Sequence, residues 1–392
     1  MMRATAVPYL REAQLLGFLE RICQALELTP TQFGDAEDHY RAVATFLAAA
    51  DDPLLRGCDI YPQGSAALGT TVRPEGRDEH DIDLVARFPV SAKMVGPATV
   101  RNAVGRRLAE HATYRQMLEP KNRCWRLRYA GQFHLDITPS VPNPTCASGG
   151  ELVPDREARM WKPTNPLGFC DWFSARATLV PSILAHKELS EGTRAQIEPL
   201  PAQTPLKGIL RRTVQLLKRH RDLAFRGEDA DLKPISIIIT TLAARSYEAC
   251  AATGVYATEL DVVLDVVERL PHFFDAPPLG KSGYFVLNPT TSGENFAEKW
   301  NANPDLASAF VSWHKMASSD LRTLLEIAGQ DAIERHLGKA FGEKEARAAI
   351  EPTAKAAGEA RTEGKLSVAA TGVMAGRVAG SVRPRPNTNF GR

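Results

Sequence analysis

The sequence predicts an α+β protein of two lobes, in which a mixed sheet with flanking helices is followed by a C-terminal helical lobe. Three observations carry this. Apolar and polar residues alternate across residues 81–88, 125–129 and 133–138, as half-buried strands require. Beyond Pro205 the apolar spacing turns helical and stays so to about residue 341. A length of 392 residues suits one large bilobal protein or two domains better than one small core. We place an α+β lobe with N-terminal helices at residues 1–200, the helical lobe at 201–350 and a disordered tail at 351–392.

Along the chain, Leu15, Leu19, Ile22 and Leu26 recur at helical spacing, and a second helix is expected over 37–50 with Tyr40, Val43 and Leu47 on one face. A short strand-like stretch at 58–61 leads into Gln63-Gly64-Ser65 and the helix-prone Ala66, Ala67 and Leu68. The period then becomes two: Ile82, Leu84, Ala86 and Phe88 interleave with Asp81, Asp83 and Arg87. Val100, Val104 and Leu108 mark another helix. Trp125, Leu127 and Tyr129 alternate with arginines, then Phe133, Leu135 and Ile137 with His134, Asp136 and Thr138. The Ala130-Gly131 join makes the pair a hairpin. Residues 139–204 are rich in Pro and Gly and read as loops with short helices. Leu206, Ile209, Leu210, Thr213 and Leu217 then form one face of a long helix. Residues 236–252, apolar almost all round, fit a buried central helix. Further helical pattern covers 259–270 and 305–341. The last 41 residues, from 352, hold a single Phe and are too poor in large apolar side chains to pack.

The formal charge of +2 excludes a protein that coats nucleic acid over its whole surface. Charge is local instead: residues 101–130 carry eight Lys or Arg against two Glu, and 205–226 carry seven against one Asp. Each stretch suits either a focused anionic ligand or a solvated face. Six scattered cysteines show no CxxC pair and read as reduced thiols. The most apolar run, 235–244, is too short to span a bilayer, and no signal segment opens the chain. A cytoplasmic protein that does not enter a membrane is expected.

Chemistry concentrates at Gly64-Ser65, Asp81-x-Asp83 and Asp136. Glycine lets backbone amides approach a phosphate, and the Ser65 hydroxyl adds a donor. Asp81 and Asp83, two residues apart on a strand, leave the same face and repel each other unless a cation sits between them. An isolated Asp-x-Asp on an acidic surface would mean nothing more than solvated acids. Asp136 lies on the polar face of a second strand, so three carboxylates converge if the two strands lie side by side. Two divalent ions, Mg²⁺ or Mn²⁺, fit such a cluster and would serve a nucleoside triphosphate and an attacking hydroxyl.

Gly-Ser, a spacer, Asp-x-Asp and a later strand Asp resemble the core of the DNA-polymerase-beta-like nucleotidyltransferases, although the fifteen residues between Ser65 and Asp81 are more than in many relatives. Within them, the chain resembles the bacterial cyclic-oligonucleotide synthases (CD-NTases), relatives of cyclic GMP-AMP synthase and oligoadenylate synthase. The stretches Leu28-Thr29-Pro30, Trp161-Lys162-Pro163-Thr164-Asn165-Pro166, Leu217-Lys218-Arg219-His220-Arg221-Asp222, Leu287-Asn288-Pro289 and Glu294-Asn295-Phe296 carry the narrower match. The resemblance implies nucleotide binding at Gln63, Gly64 and Ser65, with Lys218 and Ser236 gripping the triphosphate. An exposed helix charge and a helix N-cap are the plain alternatives for those last two. Lys218 shares a face with Arg211, two turns earlier. His134 and His220 receive no role.

The function so implied is synthesis of a cyclic di- or trinucleotide from NTPs in antiphage (CBASS) signalling, with an effector that senses the product. A dedicated ligase or regulator encoded in the same operon would act on the C-terminal tail, where Phe390-Gly391 is the candidate attachment segment. Two alternatives stay open. One is a polymerase-beta-like transferase that adds nucleotides to RNA ends or to another acceptor, a protein or small molecule; tailing RNA would need a wide basic groove and salt-dependent nucleic-acid binding. A catalytically inactive scaffold would need no acids, and all three are present. Hydrolase motifs are absent.

Overall fold

The computed structural model describes residues 6–74, 80–129, 131, 133–157, 159–184, 207–363, 367–368 and 374–375. Helix α1 (Ala6–Ala25) precedes α2 (Pro30–Ala48), which starts seven residues before the expected 37. The reason is a capping box: the Thr29 side chain accepts from the Gln32 amide, Gln32 accepts from Thr29, and Pro30 opens the helix. Strand β1 (Asp59–Gln63) runs straight into the short helix α3 (Gly64–Leu68). Strand β2 (His80–Arg87) is followed by α4 (Pro97–Glu110) and α5 (Ala112–Met117). Strands β3 (Leu118–Pro120), β4 (Trp125–Tyr129) and β5 (Phe133–Pro142) complete the order β1-β2-β5-β4-β3. The β4–β5 hairpin is antiparallel as its alternation predicts, and β2 runs parallel to β5, which makes the sheet mixed.

Residues 139–204, expected to be loops with short helices, also hold strands. Strands β6 (Glu151–Asp155) and β7 (Met160–Thr164) extend the sheet from β5, and α6 (Pro166–Ala177) follows, capped by Asn165. Pro154 and Pro163 interrupt the alternation that would have revealed the two strands. The helical region comprises α7 (Gly208–Ala224), α8 (Ser236–Thr253), α9 (Glu259–Arg269), α10 (Glu298–Ala302), α11 (Asp305–Glu326), α12 (Gln330–Phe341) and α13 (Glu343–Thr362). The single pattern expected over 305–341 is therefore two helices.

Two apolar cores result. One lies under the sheet, where Ile82, Leu84, Leu127, Leu135 and Ile137 meet Val43 and Leu47 of α2 and Val104 and Leu108 of α4. The other joins α7–α13 and also takes in Leu15, Leu19 and Ile22 of α1 and Phe169 and Phe173 of α6. Helix α1 thus packs with the helical lobe although it precedes the sheet in sequence. Arg212 of α7 fixes it there, pairing with Glu20 at 2.6 Å and Glu27 at 2.5 Å. The boundary expected at residue 200 lies outside the described residues.

The tail expected from 351 does not begin there. Helix α13 continues through Pro352 to Thr362, and Ser367–Val368 pairs with Met374–Ala375. Pro352 removes one helical hydrogen bond, yet α13 lies against α1. Arg21 of α1 donates to the Ala349 carbonyl at 2.5 Å and to the Thr353 hydroxyl at 3.2 Å across the proline. The segment 382–392 lies outside the described residues. A chain ending at Ile350 is therefore expected to be less stable than one ending at Glu363, by about 1–2 kcal/mol. Urea denaturation of the two truncations checks this, and equal midpoints would contradict it.

Candidate active site

Register builds the acid cluster. In the parallel β2–β5 pair Asp83 lies directly opposite Asp136, and Asp81 opposite His134. In the antiparallel β4–β5 pair Arg126 lies opposite Asp136. Residues 83, 136 and 126 thus stand abreast on three neighbouring strands, on the face opposite the core. Asp81 is half exposed, with 56% of its side chain accessible, whereas Asp136 retains only 13%. The carboxyl of Asp83 is pushed up to about 7, first by burial and then by the neighbouring charges of Asp136 and Asp81.

Arg126 is the counterweight. Its Nε donates to Asp136 Oδ1 at 2.7 Å and its Nη2 to Asp136 Oδ2 at 2.8 Å, while Nη2 lies 3.1 Å from Asp81 Oδ1. His134, to which the sequence reading gave no role, has Nδ1 3.3 Å from Asp81 Oδ1. Sequence marked Arg126 only as a polar residue on an alternating strand. Its strand-mate Asp136 is what makes it part of the site.

These acids open on a cleft of about 680 Å³ between the lobes, lined by Gly64, Ser65, Asp81 and Asp83 on one side and Lys218, Arg221, Asp222 and Ser236 on the other. Asp136 and Gln63 do not line it. Asp136 is covered by Arg126, and the Gln63 amide donates to the Thr138 hydroxyl at 3.4 Å. Gly64 adopts φ +62°, and a Cβ there would stand 2.5 Å from Asp83 Oδ2. The glycine is thus required by its backbone conformation and by the carboxylate packed against it.

One helix face of α7 fastens the two sides together. Arg211 donates to the Leu68 carbonyl at 3.0 Å, Gln215 to Thr71 at 2.9 Å and Lys218 to Thr70 at 2.8 Å. The spacing i, i+4, i+7 aligns these donors, so the face shared by Lys218 and Arg211 exists. Lys218 is buried and its ammonium is lowered to about 8, chiefly by burial, then by Arg221. Ser236 opens α8 one residue past the N-cap Ile235, so it is not the cap itself. Its hydroxyl accepts from Arg221 Nη1 at 2.9 Å, and Arg221 also holds the Pro234 carbonyl and Asp222. From the sequence Gln215 had no role, and Arg221 figured only within the stretch Leu217 to Asp222. His220 is structural, taking a bond from Trp313 at 3.0 Å and lying 3.1 Å from Asp320.

A Gly64→Ala substitution should lower stability by more than Gly57→Ala. Both force alanine into the left-handed region, at about 1–2 kcal/mol, but at Gly57, with φ +75°, nothing lies within 4 Å of the new Cβ. Denaturation of both variants checks this, and equal losses would mean that Asp83 moves away freely.

Comparison with known proteins agrees with the geometry. Residues 16–176 match the family model described as the Second Messenger Oligonucleotide or Dinucleotide Synthetase domain. The chain is 32% identical over 386 residues to a c-di-GMP synthase of Roseivirga ehrenbergii, covering 97% of this chain and 98% of that protein. It is 27% identical to the cyclic dinucleotide synthase CdnG of Bradyrhizobium diazoefficiens, over 70% of this chain and 67% of that one. In fold it is similar to the solved CD-NTase CdnG of B. diazoefficiens, with a TM-score of 0.62, 21% identity and coverage of 86% of this chain and 98% of that one. CdnC of E. coli MS115-1 is similar too, at 0.57 with 15% identity, covering 83% and 96%. The acid cluster, the cleft and these relatives together make the chain a member of the bacterial CD-NTase family of second-messenger oligonucleotide synthases.

Proposed function

We propose that the chain joins nucleoside triphosphates into a cyclic dinucleotide, with guanine nucleotides as substrates. The observation that carries the reaction is the abreast placement of Asp83 and Asp136 on neighbouring strands, with Asp81 and Asp83 lining an interlobe cleft. The choice of guanine is supported by the relative named a c-di-GMP synthase and by the CdnG structure with GTP. A role in antiphage signalling, with an effector that senses the product, accords with the family.

The site fits divalent cations. It offers hard carboxylate oxygens, too crowded to stand unneutralised, and a guanidinium already occupies a cation's place among them. Asp81 and Asp83 would hold one Mg²⁺ or Mn²⁺, and a second would be shared with Asp136. Bound there, the ions supply charge neutralisation of the triphosphate and a lower pKa for the acceptor hydroxyl.

The rest falls to the protein's own groups. Gly64 brings the backbone close to the phosphates, and Ser65 adds a hydroxyl at the same wall. Lys218, whose buried ammonium donates to the Thr70 carbonyl at the cleft wall, would supply a positive charge to a phosphate. Arg221 occupies an acceptor site on Ser236 Oγ, which leaves that hydroxyl's proton for a phosphate oxygen. The acceptor ribose hydroxyl attacks the α-phosphorus, a P–O bond forms as the bond to the β-phosphate breaks, and pyrophosphate leaves. A second such attack within the linear dinucleotide closes the ring.

Three outcomes are expected. Purified protein with labelled GTP and Mg²⁺ or Mn²⁺ should yield a phosphatase-resistant product, and the double variant Asp81→Ala, Asp83→Ala should yield none while staying folded. A folded double variant that makes product at near-normal rates would refute the site. Asp136→Asn should lose turnover and keep most of its affinity for NTP, measured by equilibrium binding. Comparable loss of binding would reassign Asp136 to the triphosphate.

The third concerns pH. A triphosphate favours charged Lys218, whose proton leaves near pH 8 in the free protein. Affinity should therefore fall as pH rises through that value. Between pH 7.5 and 9 metal-free GTP binding should weaken by about eightfold. Lys218→Gln should bind weakly at both pH values, and a variant that keeps the full dependence would clear Lys218 of the contact.

A further inference from the structure

We propose that Arg126 is a built-in counterion that holds the acid cluster in the nucleotide-free protein and must release it before a divalent cation can reach Asp136. The inference rests on the metal reading of the site given above. It concerns how the protein controls when that site becomes competent.

The geometry is specific. Both Asp136 oxygens are engaged by one guanidinium, Nε to Oδ1 at 2.7 Å and Nη2 to Oδ2 at 2.8 Å. The same Nη2 reaches Asp81 Oδ1 at 3.1 Å, and Nη1 lies 3.4 Å from His134 Nδ1. Arg126 and Asp136 are cross-strand partners in a rigid hairpin, so neither needs a loop movement to meet. Arginine keeps its charge at any working pH. It therefore cannot make room by losing a proton; it can only swing away. A divalent cation bound to Asp136 would sit within a few ångströms of the guanidinium, and like charges that close exclude each other.

The three acids are not equivalent under this constraint. Asp81 is half exposed and shares only one oxygen with Arg126, so Asp81 and Asp83 can receive a cation first. Asp136, its carboxylate 13% accessible and paired at both oxygens, joins last. Arg126 has 21% of its side chain accessible, which gives it an outlet toward solvent. The site would thus stay weak for free cations and assemble fully only when a nucleotide-bound cation displaces the guanidinium. Residues that fill the cation site by themselves spare the folded protein three adjacent uncompensated carboxylates.

The test is Mn²⁺ binding to the nucleotide-free protein, read by electron paramagnetic resonance, together with thermal melting. Arg126→Gln should bind Mn²⁺ about tenfold or more tightly than the wild type. It should melt lower than the wild type without metal, and Mn²⁺ should raise its melting temperature by more than it raises the wild type's. Arg126→Lys keeps a charge but loses the two-pronged bond, so it should fall between the two and serves if the glutamine variant fails to fold. Folded variants that bind Mn²⁺ no more tightly than the wild type, while the wild type binds Mn²⁺ with GTP, overturn the counterion and leave the metal reading standing. No Mn²⁺ binding by any form, with or without GTP, overturns both.

Discussion

The structure turns on one electrostatic problem: β2 and β5 run parallel in a register that sets Asp83 against Asp136, with Asp81 one pleat away. Carboxylates this close cannot all ionise in a half-buried setting without nearby positive charge. Burial first, and then the charges of Asp136 and Asp81, push Asp83 up to about 7. Arg126 relieves it from the neighbouring strand, and the ammonium of Lys218 faces Asp83 from the other lobe.

The second constraint is mechanical. Nucleotide chemistry across a cleft requires the two walls to keep their spacing, and α7 provides it. Arg211, Gln215 and Lys218 donate to three carbonyls of the chain that leaves Ser65, while Arg212 on the same helix holds α1. Arg219, next to Lys218, donates to the Phe341 carbonyl at 2.9 Å and so links the helix to the end of α12. Arg221 then fixes the first turn of α8 through Ser236. Several of the donors that shape the cleft thus come from one rigid helix.

How much of this could be read in the sequence follows from what each signal depends on. The alternation at 81–88 and 125–138 is local, so the strands and the polar face of the three acids were legible. The parallel pairing of β2 with β5 joins segments some fifty residues apart, and only the assumption that the strands lie side by side brought Asp136 in. Pro154 and Pro163 hid the β6–β7 hairpin, since proline breaks the pattern a strand is recognised by. The capping box at Thr29 and Gln32 and the Asn165-Pro166 start of α6 were visible signals that the hydrophobic pattern overrode. The shortage of large apolar residues beyond 351 misled in the opposite direction, since α13 survives to Thr362 on packing against α1. Arg126 could not have been found by residue type, because an arginine on a strand gains its meaning only from the aspartate opposite.

The most direct measurement is a crystal structure of the protein with a non-hydrolysable GTP analogue and Mn²⁺, with the ions located by anomalous scattering. The account predicts manganese bound by Asp81 and Asp83, the triphosphate between Ser65 and Lys218, and Arg126 turned away from Asp136. Manganese absent from these acids, or a nucleotide seated outside the interlobe cleft, would contradict it.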